Sequence, residues 1–311
     1  MTTAFYSHSE CRAHEMGRGH PECPQRLSAI DDHLLATGLD IALERVDAPL
    51  VDLADVAHAH ASGYVGELRD ALQRLNADDG LLAIDPDTAA NAGTWRAVQR
   101  AAGAAVAATD AVIDGRADNA FCSVRPPGHH ATRNAAMGFC FFNNVAIAAR
   151  HALDVRGLER VAIVDFDVHH GNGTEDIVAG DERVLMVSIF QDRLYPFSGG
   201  VPLGTNMVNL PLPAYTRGAE VRELIDANWM PRLEAFRPQM IFISAGFDAH
   251  RDDDLGQLGL VEADYTWMTE RIKDVADRHA RGRIVSCLEG GYNLGALARS
   301  VAAHLRVLAG V

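Results

Sequence analysis

A chain of 311 residues that is 48% hydrophobic can bury a sizeable core, and a single large α/β domain is common at this size. Its 28 basic and 42 acidic residues leave a formal charge of −14 with no polybasic run. That argues against a nucleic-acid binder and suits a cationic substrate or simple solubility. No apolar run reaches the ~18–20 residues needed to span a bilayer, so no membrane association is expected. The five cysteines (Cys11, Cys23, Cys122, Cys140, Cys287) are odd in number, scattered and without CxxC spacing, as in a reduced protein. MTTAFYSHSE carries no signal-like segment, and a cytoplasmic location is expected.

In chain order, residues 3–9 suit a short strand. The phrase GHPECPQRL at 19–27 carries two prolines that block regular helix, and a helix opens at Arg26. His14, His20, His58 and His60 are too dispersed to be read as ligands and suit structural roles. Tyr64, Leu68, Leu72 and Leu75 recur at helical spacing and predict a helix over 60–75. AIDPDTAANAG at 83–93 reads as a surface loop, and an Ala-rich helix over 94–113 closes at Asp114-Gly115. From residue 120 strands alternate with helices. AFCSV, VAIVDFD, VLMVSI, MIFISAGFD and RIVSCLEGG read as buried strands, with helices near 143–153, 217–235 and 293–309. The alternation predicts a parallel sheet covered on both faces. Nothing marks a repeat or a linker, so residues 1–311 are read as one domain.

The stretch VAIVDFDVHHGNGTE at 161–175 concentrates the chemistry. If the strand runs through it, Asp165, Asp167 and His169 fall at alternate positions and point to one side. Carboxylates buried there require a cation or a hydrogen-bond network; a charged surface turn is the blander reading. Parallel sheets gather functional groups beyond the carboxyl ends of their strands. Four such ends carry unusual residues: Arg125 to His130, Asp165 to Asn172, Gly246 to His250, and Glu289 to Tyr292. Asp167, His169 and Asp248 suit a catalytic metal with an open position, although Asp248 alone would also serve as a cap, and His250 suits the rim or a place behind the ligands. His129 and His130 lie in a turn stiffened by prolines and can hold and move protons near neutral pH. Asp165 and Asn172 are their candidate partners, and a plain pair of turn histidines is the alternative. Tyr292 follows two glycines and can aim its phenol back over the strand ends as an oxyanion donor, or simply be a core tyrosine.

Taken together, these motifs resemble the histone deacetylase and acetylpolyamine amidohydrolase family over nearly the whole chain. The matching phrases are HPECPQRL (20–27), HAHASGYV (58–65), DPDT (85–88), RPPGHH (125–130), GFCFFNN (138–144), VDFDVHHGNGTED (164–176), GFDAH (246–250) and EGGY (289–292). The class II-like bacterial branch is the most similar. The resemblance implies an arginase/deacetylase α/β fold, one three-layer domain with an eight-stranded mostly parallel sheet between helices. It also implies hydrolysis of an N-acetyl amide with one zinc ion held by Asp167, His169 and Asp248. His130 is then the main general base and later the acid, His129 its electrostatic partner backed by Asp165, and Tyr292 the clamp on the substrate carbonyl. A structural potassium ion is implied near Asp165, Asp167, His169 and Ser188. Gly138, Phe139 and Tyr195 line the implied acyl-lysine tunnel, with Leu255 at its rim and Gly290 and Gly291 also binding substrate. Asn172 stands where class I relatives have aspartate, which gives His130 a neutral partner. Phe190 stands where many relatives have histidine, and Leu255 replaces the glutamate gate of some polyamine-selective relatives.

The expected activity is removal of an acetyl or other acyl group from an acylated amine, foremost the Nε-acetyl-lysine side chain of a peptide or protein. An acetylpolyamine amidohydrolase shares this chemistry, and the missing acidic gate argues against it. A ureohydrolase with two manganese ions needs bridging carboxylates that Asn172 and Phe247-Asp248-Ala249 do not supply. A non-catalytic acyl-lysine binding module sits poorly with a complete catalytic set. A homo-oligomer is compatible with the sequence.

Overall fold

Short runs rich in Val, Ile and Phe supply the strands, and Ala-rich or amphipathic stretches supply the helices, in a computed structural model that describes all 311 residues. The chain runs β1 (Thr3–Ser7), α1 (Gln25–Thr37), β2 (Leu43–Asp47), α2 (Leu53–Val56) and α3 (Ser62–Gln73). A small antiparallel pair, β3 (Leu82–Ala83) and β4 (Ala89–Ala90), precedes α4 (Thr94–Ile113), β5 (Asn119–Cys122) and α5 (Asn144–Arg150). Then follow β6 (Val161–Asp165), α6 (Asn172–Val178), β7 (Val184–Gln191), β8 (Met207–Leu212) and α7 (Gly218–Phe236). The last elements are β9 (Ile241–Ala245), α8 (Glu262–His279), β10 (Ile284–Leu288) and α9 (Leu294–Ala309).

Eight strands form one sheet in the order β2-β1-β5-β10-β9-β6-β7-β8. Every neighbouring pair is parallel. α1, α9, α8 and α7 pack side by side along one face, and α4 and α5 along the other. The inner strands β5, β6, β9 and β10 are therefore buried at every residue. With no face toward water they show continuous apolar runs instead of alternation. The apolar side chains of both layers join in one cluster of 87 buried residues, so the sheet and its helices share one core. No helix is long and apolar enough to cross a membrane.

Because all strands run the same way, all their carboxyl ends reach one edge. The four chemistry-bearing loops leave β5, β10, β9 and β6, which are consecutive in the sheet. They meet there for that reason.

Several details differ from the sequence expectation. The stretch 83–93 contains the β3–β4 pair, and the helix near 143–153 ends in a π-helical turn, His151–Val155. β2, β8 and α8 have no counterpart in the expected elements. β2 (LERVD) and β8 (MVNLPL) are the two edges of the sheet, where charge and Pro211 replace an apolar run.

Candidate active site

β6 stops at Asp165, so Asp167 and His169 do not continue a strand, and the alternate-position expectation is corrected. Two successive side-chain turns bend the chain instead. Asp167 N–H donates to Asp165 Oδ1 (3.1 Å) and His169 N–H donates to Asp167 Oδ1 (2.9 Å). Such local bonds let aspartate compete with strand pairing. The bend brings His169 Nδ1 to 3.0 Å from Asp167 Oδ1 and 3.2 Å from Asp248 Oδ2. One ligand atom from each of the three residues lies within 4.8 Å of the others.

Both aspartates are wholly buried, and because His169 Nδ1 bonds Asp167 Oδ1, its 3.2 Å approach leaves Asp248 Oδ2 without a hydrogen bond. Burial and the charge of Asp167 push Asp248 above the ordinary carboxylate range. Burial opposes a charge on His169, but Asp167 and Asp248 outweigh it and lift the imidazole to about 10. Two buried carboxylates facing one imidazole lack compensation that a divalent cation would supply. The donor set of two carboxylate oxygens and one imidazole nitrogen, open on the cavity side through His169, fits zinc.

The backbone is shaped to admit those carboxylates. A Cβ on Gly290 would stand 1.9 Å from Asp248 Oδ2, and one on Gly246 would stand 2.0 Å from Asp167 Oδ2. Gly290 N–H donates to Asp167 Oδ2 (2.8 Å). Gly290 thus serves the carboxylates, and Gly291 offers its carbonyl to Arg26 Nε (2.7 Å). Neither is among the residues that line the cavity.

The adjacent histidines have opposite surroundings. His129 Nδ1–H donates to Asp165 Oδ2 (3.0 Å), and its Nε2 lies 3.8 Å from Asp167 Oδ2. Burial opposes its charge, but Asp167 and Asp165 raise the imidazole to about 10. His130 Nδ1–H donates to Asn172 Oδ1 (2.8 Å), at the first residue of α6. Burial first, then the neighbouring His129 and His169, hold His130 well below its ordinary value. His130 is left neutral, with its Nε2 lone pair free. The turn that carries both is held from below: Gly128 and His129 N–H donate to Glu289 Oε2 (2.7 and 3.1 Å), and the Ser244 hydroxyl donates to Glu289 Oε1 (3.1 Å).

Above this floor lies a cavity of about 230 Å³, lined by His130, His169, Tyr292, Gly138, Phe139, Tyr195, Leu194, Leu255 and Asp87. Gly138 has φ 55, and a Cβ there would stand 2.5 Å from the His130 ring. Phe139 has φ 70 and is pinned by its N–H, which donates to Thr88 Oγ1 (3.0 Å) of the DPDT phrase. Phe190 packs against His170 (4.6 Å between centroids), and His250 is buried with Nε2 3.5 Å from Glu262. Neither lines the cavity, and of the two places open to His250 the buried one behind the ligands is the one it takes. Ser188 is the register partner of Asp165 on β7 and approaches Asn209 Oδ1 at 3.4 Å.

Two supports went unread in the sequence. Glu22, buried, takes both Arg125 (Nη2–Oε2 2.5 Å) and Arg26 (Nη1–Oε1 3.1 Å). Arg26 also donates to the carbonyls of Glu289 and Gly291 and stacks over the Tyr292 ring at 5.0 Å. Asp253 accepts from the N–H groups of Tyr292 (2.6 Å), Asn293 (2.9 Å) and Leu255 (3.0 Å). The only sequence signal for the first was the pair of charges inside HPECPQRL; Asp253 had none.

A parallel three-layer sheet, with a buried carboxylate–imidazole set beneath a histidine pair and a tyrosine, defines a hydrolase of the arginase/deacetylase fold. A family model, Histone deacetylase domain, matches residues 20–308, and the chain belongs to that family. It is 38% identical to the histone deacetylase-like amidohydrolase of Pseudomonas aeruginosa, over 88% of this chain and 73% of that one. It is 34% identical to the polyamine deacetylase HDAC10 of Homo sapiens, over 100% of this chain and 48% of that one. The crystal structure of the HDA15 HD domain matches with a TM-score of 0.92 at 33% identity, over 99% of this chain and 90% of that one.

Proposed function

We propose that residues 1–311 form one catalytic domain of a zinc-dependent amidohydrolase that removes the acetyl group from Nε-acetyl-lysine in a peptide or protein. The observation that carries this reading is the meeting of His130, His169 and Tyr292 on a single cavity. A zinc ion held by Asp167, His169 and Asp248 would polarise the amide carbonyl and acidify a water. His130 Nε2 takes the proton of the attacking water as the oxygen–carbon bond forms. It then delivers that proton to the amine nitrogen as the carbon–nitrogen bond breaks, releasing acetate and a free lysine. His129, donating from Nδ1 to Asp165, fixes the turn that carries His130 and holds its other nitrogen toward the ligand group. The Tyr292 phenol, held well above its ordinary pKa by burial first, stays protonated and donates to the carbonyl oxygen. Gly138, Phe139, Tyr195 and Leu255 sheathe the lysyl chain. A structural potassium ion beside Asp165, Asp167, His169 and Ser188 belongs to the same proposal, supported by the buried pairing of Asp165 with Ser188. The five free thiols support a reducing compartment such as the cytoplasm.

One observation favours a second reading, an acetylpolyamine substrate: Asp87 lines the cavity and can meet a cationic tail. The deciding measurement is kcat/KM on zinc-loaded protein for an acetyl-lysine peptide, N-acetylputrescine and N-acetylspermidine. Peptide turnover abolished by chelation is expected. A protein holding one zinc per chain that hydrolyses none of them would overturn the activity.

A further inference from the structure

The loop from β7 to β8 walls one side of the cavity and then turns outward. Leu194 and Tyr195 line the cavity, while Phe197 is 79% exposed, and Val201 and Leu203 are 83% and 63% exposed. Phe197 adopts φ 60, a left-handed conformation that bulky residues keep only where the surroundings over-determine it. The surroundings do so here. Phe197 N–H donates to the Leu194 carbonyl (2.8 Å), Asn209 Nδ2 donates to the Gly199 carbonyl (3.0 Å), and Leu203 N–H donates to Glu175 Oε1 (3.2 Å). Glu175 is buried, also accepts from Asn209 Nδ2 (2.8 Å), and meets His170 Nε2 at 2.8 Å. The result is a fixed backbone that presents the Phe197 ring to water beside the cavity, with its centroid 6.5 Å from that of Tyr195. A large apolar group displayed in this way suits contact with another molecule better than it suits the core.

We propose that Phe197 is a subsite for an apolar side chain next to the acylated lysine of a polypeptide. This rests on the proposed amidohydrolase activity and narrows its substrate to peptides and proteins with an apolar neighbour. Continuity with the cavity identifies the occupant. A lysyl chain in the cavity emerges past Tyr195, and the next residue of a polypeptide lies only about 3.8 Å away between Cα atoms. Its side chain falls within reach of Phe197. A free polyamine offers no apolar branch there. An acidic neighbour gains nothing from the ring and is opposed by Asp87, the one carboxylate lining the cavity.

The test uses fluorescent acetyl-lysine pentapeptides with Phe, Leu, Gly or Asp beside the acetyl-lysine, together with N-acetylspermidine. Wild type, Phe197→Ser and Phe197→Leu are compared by kcat/KM on zinc-loaded protein and by fluorescence anisotropy. Wild type is expected to prefer Phe and Leu over Asp by about fivefold or more, as for partial burial of one apolar side chain. Phe197→Ser should bring that ratio near parity, mainly through KM, and Phe197→Leu should restore most of it. Equal rates for Phe and Asp peptides in wild type, an unchanged ratio in Phe197→Ser, or a preference for N-acetylspermidine over every peptide would each overturn the subsite. If no substrate is turned over, the proposed activity falls, and the anisotropy ranking still decides the subsite.

Discussion

At the floor of the cavity Asp167, Asp248, Glu289, Glu22 and Arg125 are wholly buried, and most of their charged atoms meet a backbone N–H, a carbonyl or an opposite charge. Beside the mouth the Phe197 side chain is 79% exposed, on a loop held by Leu194, Asn209 and Glu175. A charge removed from water must be compensated by groups fixed in place, so each floor residue constrains several others. A side chain in water carries no such obligation. Substitution is therefore hardest at the proposed catalytic floor and easiest at the proposed peptide subsite.

The comparison breaks most readily at Gly290. Gly290→Ala drives a methyl into Asp248 and Asp167, and the largest effect is expected there: loss of bound zinc and of activity while circular dichroism keeps the native signal. Zinc retained at one per chain would show that the carboxylates have room to spare. Tyr292→Phe should keep zinc yet lower kcat roughly 10²–10³-fold, the usual worth of one oxyanion donor. Near-normal turnover would remove Tyr292 from the reaction.

Glu22→Gln tests the layer under the floor, since it leaves Arg125 and Arg26 without their buried anion. A loss of about 3–5 kcal/mol in urea unfolding is expected. Burial pushes the Glu22 carboxyl up, but Arg125 and Arg26 outweigh it and bring it down from 4.5 to about 2. Its contribution is therefore complete above pH 4.5 and lost as pH falls toward 2, so the stability gap between wild type and variant should close over that interval. A gap independent of pH would assign the loss to packing. Smallest of all, Leu255→Glu at the mouth should raise the N-acetylspermidine-to-peptide ratio of kcat/KM by about two- to fivefold, the worth of an exposed ion pair. No change would place the cationic tail away from Leu255.

The same contrast governs what the sequence revealed. β5, β6, β9 and β10 were legible because strands covered on both faces are written in apolar residues, and their loops carry Asp248, His130 and Tyr292 in plain view. β2 and β8 escaped notice because an edge strand is half solvated and needs no such run. Asp167 and His169 were picked out for the wrong geometric reason. Alternation on a strand and two consecutive aspartate turns leave the same spacing in the sequence, and only the end of β6 at Asp165 separates them. Glu22, Arg26, Glu289 and Asp253 act through partners distant in the chain, and a single sequence has no means of displaying that pairing.

Asp253 joins the two regions. One of its oxygens receives the backbone N–H groups of Tyr292 and Asn293, and the other receives that of Leu255. Displacing Leu255 would therefore strain the carboxylate that holds the backbone of Tyr292. Under the proposed activity, substrates that press on Leu255 should differ in kcat, whereas those that touch only Phe197 should differ in KM.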